Sequence, residues 1–241
     1  MILLYEWPSA LRPAAEGWRP APINRSGGRS LNSGEQVAYS GLSLITARIT
    51  LPVYDTDTIR AARALDWGLM GRVNAVLVGP VDCINGAQIA PRIGGIPHSD
   101  GSLHSDGAGY SQGGVPTTIL TDAALGATTL VIAEGSVTGL APGVFLGLGS
   151  GAGQRLYGVV RLSPGPAPET RTLHIIPRLR VAVTAGAEIN WGSARAPMRL
   201  DADDGLALET QLARYGTASA TLTEYWPAAE DMPTTVTPWV S

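Results

Sequence analysis

The sequence predicts a mainly β protein: a β-sandwich with one helix and an inserted small β-barrel or sandwich module. Three observations carry this. Glycine and proline number 30 and 18 of 241 residues, above the usual share, so the chain is dense in turns. Short runs of β-branched and aromatic residues recur with turn signals between them. Only residues 56–70 place apolar side chains at helical spacing.

In chain order, Leu3, Tyr5 and Trp7 alternate as in a half-buried strand. Pro13, Pro20, Pro22 and the Gly27-Gly28 pair then predict an irregular arm through residue 35, with Trp18 and Ile23 favouring contact with a neighbour. Residues 36–54 read as two strands. From Ser43 to Val53, Ile45, Ala47, Ile49 and Leu51 lie on one face and Leu44, Thr46, Arg48 and Thr50 on the other; Pro52 ends the strand or marks an edge. The helix over 56–70 takes Thr56 or Asp57 as its cap and Gly71 as its stop, and packs on a sheet. Arg72 to Gly79 follows as an apolar strand. Residues 80–116 form a long loop rich in Gly, Ser and Asp, and a loop of that length marks a functional or binding surface.

Residues 117–192 hold five or six short strands, including Thr128–Ile132, Gly143–Leu148, Gln154–Val160, Thr172–Ile176 and Ala187–Trp191. That spacing predicts a small barrel or sandwich. Longer strands resume around Met198–Leu200, Leu206–Leu208 and Ala218–Trp226, and a proline-rich tail ends near Trp239. The middle unit therefore reads as an insertion. The core domain is 1–95 with 195–241, the connecting loop 96–116, and the inserted domain 117–194. The insert's ends, near Pro116 and Ala194, should lie close together.

Composition narrows the function. Net charge is −3, and all 17 basic residues are arginine with no basic stripe, which argues against nucleic-acid recognition. Cys83 is alone, so the chain has no internal disulfide and no thiolate cluster; a small buried apolar residue is expected. The first eight residues lack a signal peptide's basic region, and no stretch reaches the ~18 apolar residues of a membrane span. A protein made in a reducing compartment is expected.

The chemistry-bearing candidates are few. His98-Ser99-Asp100-Gly101 is echoed by His104-Ser105-Asp106-Gly107 and holds two of the three histidines. The residue types suit a metal or acid/base site. The six-residue offset fits neither a helical nor a strand pair, and Asp-Gly marks tight turns. Paired turns with local backbone bonds at Asp100 and Asp106 are therefore expected, with no common ion on the histidines. His174, alone on a strand, reads as a satisfied or surface residue. Gly147–Gly153 lacks lysine and a following helix, so it reads as a hairpin loop rather than a phosphate cradle. Asp201, Asp203 and Asp204 lack the spacing of a calcium loop and read as a solvated acidic turn. No catalytic residue, cofactor or metal is assigned.

Five phrases, in order, resemble the distal-tail and baseplate structural proteins of long-tailed bacteriophages and related gene-transfer particles. They are the strand ending at Leu51-Pro52 with the helix and Gly71-Arg72-Val73-Asn74; Pro97–Gly101 with Ser105-Asp106-Gly107; Gly143–Gly147 with Arg155-Leu156-Tyr157; Ile176–Arg180 before Ala185-Gly186; and Met198-Arg199-Leu200 with Leu222-Thr223-Glu224. The arm over residues 8–35 matches no family pattern. The resemblance implies a non-catalytic virion protein, assembled in the host cytoplasm and located at the tail tip. Copies would form a homo-oligomeric ring, commonly six-fold, joining the tail tube protein to the hub or baseplate and to tail fibres. Trp7, Trp18, Ile23, Trp226 and Trp239 are the interface candidates. Two rival readings are a carbohydrate-binding β module on a virion or cell surface, using exposed tryptophan, and a metal-dependent hydrolase.

Overall fold

The computed structural model describes residues 2–29, 35–38, 42–81, 90–91, 102, 105, 117–206, 208–211, 215–226 and 233–239. The protein is mainly β, with one α-helix among the described residues. The strands before the helix are β1 (Leu4–Glu6), β2 (Ala15–Pro22), β3 (Arg25–Arg29), β4 (Glu35–Ala38) and β5 (Ser43–Val53). Helix α1 (Thr56–Leu69) leads to β6 (Ala75–Val78) and β7 (Ala90–Pro91). Next come β8 (Thr117–Thr118), β9 (Thr129–Ala133), β10 (Val137–Thr138), β11 (Phe145–Leu148), β12 (Arg155–Pro164), β13 (Thr170–Ile176) and β14 (Glu188–Asn190). The chain closes with β15 (Ala196–Leu200), β16 (Leu208–Gln211), β17 (Tyr215–Glu224) and β18 (Val236–Thr237).

Two large sheets hold most of these strands, and β7–β10 and β3–β4 form two separate two-stranded pairs. The larger runs β18-β1-β6-β15-β17-β5-β2, with β16 also on β17. The smaller runs β8-β14-β11-β12-β13-β9. Its two end strands meet through an Ile119–Ile132 bridge and the bond from Leu120 N–H to Val131 C=O (2.8 Å), which nearly closes it into a barrel. Leu130, Ile132, Leu146, Leu148, Tyr157, Val159, Leu173 and Ile175 alternate along these strands to fill its interior. The chain leaves the large sheet after β6 and re-enters at β15, the direct neighbour of β6, with Val78 opposite Ala196. Gly79 is obligatory at that exit, because a Cβ there would sit 1.8 Å from the Ala194 carbonyl oxygen. Pro116, the other expected end of the insert, lies outside the described residues.

The alternation in β5 is the clearest case of sequence dictating structure. Ile45, Ala47, Ile49, Leu51 and Val53 are buried, while Arg48 is exposed. Their face joins Ala196, Met198 and Leu200 of β15 and Ala218, Ala220 and Leu222 of β17 in one core. Two elements contribute much of the cover over that core, beside Trp7, Leu11 and Leu206 from the connecting segments. One is α1, through Ala62, Leu65 and Leu69; the other is the outer wall of the barrel, through Phe145 and Leu156. Leu156 neighbours inward-pointing Tyr157 on β12, so it points out of the barrel and into the larger core.

Several local expectations change. Asp55, not Thr56 or Asp57, caps α1: its carboxylate accepts the Thr58 backbone N–H at 2.7 Å and the Thr58 hydroxyl bonds back to Asp55 N–H, a reciprocal capping box. The helix ends before Met70, which is left-handed, and Gly71 continues the turn at φ 66°. That turn delays the next strand from 72 to 75. Leu4 is the fully buried residue of β1, on the face opposite Leu3 and Tyr5. Residues 15–22 are an eight-residue edge strand rather than irregular arm. Pro20 and Pro22 fit there because they alternate with Ile23, whose N–H bonds Leu42 C=O at 3.1 Å; the missing donors face away from β5. Pro52 pairs with Thr217 on one side only, since β2 stops opposite Thr50.

Two measurements check this packing. Leu156→Ala should lower unfolding free energy by about 2–5 kcal/mol in a urea titration, whereas exposed Val160→Ala should stay within about 0.5 kcal/mol. The Thr58 N–H and hydroxyl bonds hold the Asp55 carboxyl below its usual range. Its contribution is therefore complete above the unfolded pKa and fades as pH falls through the lower folded value; Asp55→Asn should flatten stability against pH on that acid limb.

Candidate interface

The barrel meets the large sheet at a buried charge cluster. Glu224 ends β17 on the same face as Ala218, Ala220 and Leu222, so strand alternation aims its carboxylate into the seam. Arg180, from the segment after β13, grips it with two nitrogens: Nε to Oε1 at 3.3 Å and Nη2 to Oε2 at 3.0 Å. Oε2 also accepts the Ile45 N–H at 3.1 Å, and Arg180 Nη2 donates to the Ser43 carbonyl. The Arg180 backbone N–H is held by the Tyr157 hydroxyl at 3.1 Å. Arg155 lies beside them, donating to the carbonyls of Ala152 (3.1 Å) and Gln154 (2.7 Å).

Trp226 closes this cluster from outside. Its ring lies 4.9 Å from the Arg155 guanidinium and 5.8 Å from that of Arg180. Burial pulls the Arg155 guanidinium below its ordinary value, with Glu224 opposing and Arg180 reinforcing the shift. Burial likewise raises the Tyr157 phenol. Two cations share one carboxylate here, out of water, so the cluster is sensitive to loss of any member.

The other interface candidates fall elsewhere. Trp7 packs on the larger core and donates its indole N–H to Leu11 C=O at 2.8 Å. Trp18 donates to Glu16 at 3.0 Å, and the second Glu16 oxygen accepts Val81 N–H at 2.8 Å. Trp239 donates to the Glu6 carbonyl and stacks on Tyr5 with ring centroids 4.8 Å apart. Trp7 and Trp239 share an open cleft of about 500 Å³, together with Glu6 and Arg195, whose charges meet at 3.5 Å. Trp18 packs on the same core as Trp7 and Trp239 and reaches the cleft through Glu16 and Val81, while Trp226 stands apart at the seam.

Ile23 begins a different feature. β2 and β5 continue past the sheet as the two-stranded ribbon β3–β4, with Arg25 opposite Ala38 and Ser26 opposite Val37. Residues 22–28, 37 and 38 are all exposed. Ile23 and Leu42 are joined across its base, and they and Val37 are 52%, 51% and 53% exposed. A two-stranded ribbon is marginal in water without a surface to lie on.

A second exposed apolar group escaped the sequence reading. Trp67, 71% exposed, lies with Met70 and Val73 at the solvent side of α1 and its terminal turn. The signal was present: the buried stripe is 58, 62, 65 and 69, and position 67 falls off it.

The doubled His-Ser-Asp-Gly phrase and Cys83 are not placed. His98, Asp100, His104 and Asp106 all lie outside the described residues, as does Cys83. Among the described residues no three His, Cys, Asp or Glu side chains converge as a metal group, and no helix is long and apolar enough to cross a membrane. His174 Nε2 lies 3.0 Å from Arg161 Nη2 and 3.0 Å from the Ser163 hydroxyl, so its ring is held by neighbours on β12. Asp203 is not merely solvated. It accepts from Arg72 Nε (2.9 Å) and Arg72 N–H (3.2 Å), tying the acidic turn to the end of α1. Gly147–Gly153 forms the β11–β12 hairpin with a short 3-10 turn. No protein-family model matches the chain, and no curated protein matches its sequence.

The seam makes two predictions. Glu224→Ala should cost about 3–5 kcal/mol of stability, and the double variant Arg180→Met/Glu224→Leu should cost less than that single change, by denaturant melts at pH 7. Because the Tyr157 pKa is raised on folding, its contribution is complete below the unfolded value near ~10 and is lost as pH rises toward the folded value. Tyr157→Phe should flatten that alkaline loss while costing about 1 kcal/mol at neutral pH, where the Arg180 N–H loses its acceptor.

Proposed function

We propose that this protein is a non-catalytic structural component of a phage-type tail tip, whose copies join into a closed ring between tail tube and hub or baseplate. In this reading the large sheet with α1 is the sandwich-type core built from residues 1–95 and 195–241. The barrel of residues 117–194 is the inserted module. Six-fold symmetry, contacts with tail fibres and a virion location follow from the resemblance in sequence.

The observation that carries the proposal is the β3–β4 ribbon. It extends the β2–β5 edge with Ile23, Val37 and Leu42 about half exposed, and among the described strands β3 and β4 pair only with each other. Ordering such a ribbon costs conformational entropy that only a covering surface offsets. A head-to-tail contact supplies one, because each copy's arm lies on the next and the rotation closes a ring. Arg25 on the ribbon gives that contact a cationic element beside its apolar ones.

Negative-stain electron microscopy of the purified protein tests this directly. A ring, six-fold and coaxial with a tail tube in the parent particle, is the expected result. The double variant Ile23→Asp/Val37→Asp should abolish rings while its melting temperature stays within a few degrees of the parent. A discrete monomer at all concentrations would contradict the proposal, and so would rings unaffected by that variant.

A further inference from the structure

The cleft where sheet and barrel join has the chemistry of a sugar site. We propose that it binds a saccharide, holding one pyranose ring against Trp7 and Trp239 and reading that ring's hydroxyls with Glu6, Arg195 and Ser193.

The fold brings these residues to one place. β18, β1 and β6 lie side by side and parallel, so their chains leave the sheet at the same end. Trp239, Trp7 and Gly79 follow those three strands and line the cleft together. A further wall comes from Gly192 to Arg195, where the chain returns from the barrel to β15. Small-ligand sites favour such junctions between folded units. The volume of about 500 Å³ falls within the ~300–1,000 Å³ that such sites occupy.

The walls are set without an occupant. Trp7 donates its indole N–H to Leu11 C=O at 2.8 Å. Trp239 donates to the Glu6 carbonyl and gives one ring face to Tyr5. Ser193 is held three times: its N–H donates to Asn190 Oδ1 at 2.9 Å, its hydroxyl accepts Asn190 Nδ2 at 2.8 Å, and its carbonyl accepts Gln154 Nε2 at 3.0 Å. A ligand entering between fixed walls does not have to order them.

The same bonds decide what the cleft suits. Extended peptides are read largely through main-chain and indole donors. Those are scarce here. Pro8, Pro13 and Pro80 bring no N–H, the Val81 N–H is taken by Glu16 at 2.8 Å, and both indole N–H groups are taken within the chain. Aromatic surface and polar side chains remain, and a pyranose matches both. Its C–H face is slightly positive and stacks on the electron-rich face of an indole. Its adjacent hydroxyls can each donate and accept, so one donates to the Glu6 carboxylate while the next accepts from Arg195. Those two side chains are 49% and 40% exposed and meet through a single 3.5 Å contact, a loose pair that a sugar can share. The Ser193 hydroxyl accepts from Asn190 and so keeps its own hydrogen to donate. The site lies within one chain and needs no ring.

Saturation-transfer NMR on the full chain tests this, with neutral mono- and disaccharides of glucose, galactose, mannose and N-acetylglucosamine as probes. At least one should bind with a millimolar or tighter Kd, measured by tryptophan fluorescence titration. Glu6→Gln and Arg195→Gln should each weaken that sugar about tenfold or more. Because their pair is partly exposed, both variants should melt within a few degrees of the parent. Trp67→Ala, outside the cleft, should leave the affinity unchanged. Silence from every sugar overturns the proposal. Binding that survives both cleft variants, or that falls with Trp67→Ala, puts the sugar on another surface and also overturns it. A polyproline peptide that binds while every sugar is silent would give the cleft to a protein partner instead.

Discussion

The fold depends on covering one face of one sheet. The inner face of β5, β15 and β17 is continuous and apolar, and α1 is too short to cover all of it. The barrel wall covers much of the remainder with Phe145 and Leu156. The Arg180–Glu224 pair fixes the angle and register of that contact. It joins the segment after β13 to the end of β17 and also binds the Ser43 carbonyl and the Ile45 N–H of β5. An ion pair in such a place adds little net stability over a well-packed apolar pair, but it tolerates only one arrangement. The specificity comes from geometry. A bidentate guanidinium, a carboxylate on a fixed strand and a backbone carbonyl leave little room for the barrel to slide.

Much of this was legible in the sequence, and the reason is periodicity. The two-residue alternation of β5 and the short strands between Thr117 and Asn190 declare their faces before any tertiary contact is known. The helix showed itself by spacing, although its cap was misassigned by one residue: Asp55 won because Thr58 stands three positions on to complete the box. What periodicity cannot convey is pairing across distance. Nothing local in Arg180 or Glu224 announces a partner 44 residues away. Residues 15–22 read as arm because prolines suggest irregularity, whereas an edge strand admits them on the parity that has no partner. Gly68 carries no local signal either, yet Trp239 rests where its side chain would stand.

The candidate interface was legible in part. Ile23 and Trp239 were singled out as arm and tail anchors, and both lie on segments that reach beyond the packed body or fold back onto its edge. Trp226, another of the interface candidates, roofs the buried arginines while remaining partly exposed. Trp67 was missed because a helix was expected to present its large apolar residues inward. Arm and helix turn share one property: apolar surface on elements that a self-sufficient chain has no reason to leave uncovered.

The central claim is that the β3–β4 ribbon is completed by a neighbour. Hydrogen–deuterium exchange, read on residues 23–29 and 35–38 in dilute and in assembled protein, measures this without reference to symmetry or shape. The account predicts fast ribbon exchange when dilute and strong protection on assembly, while the barrel strands β11–β13 stay protected in both. Ribbon amides that exchange equally fast in the assembled state would contradict it.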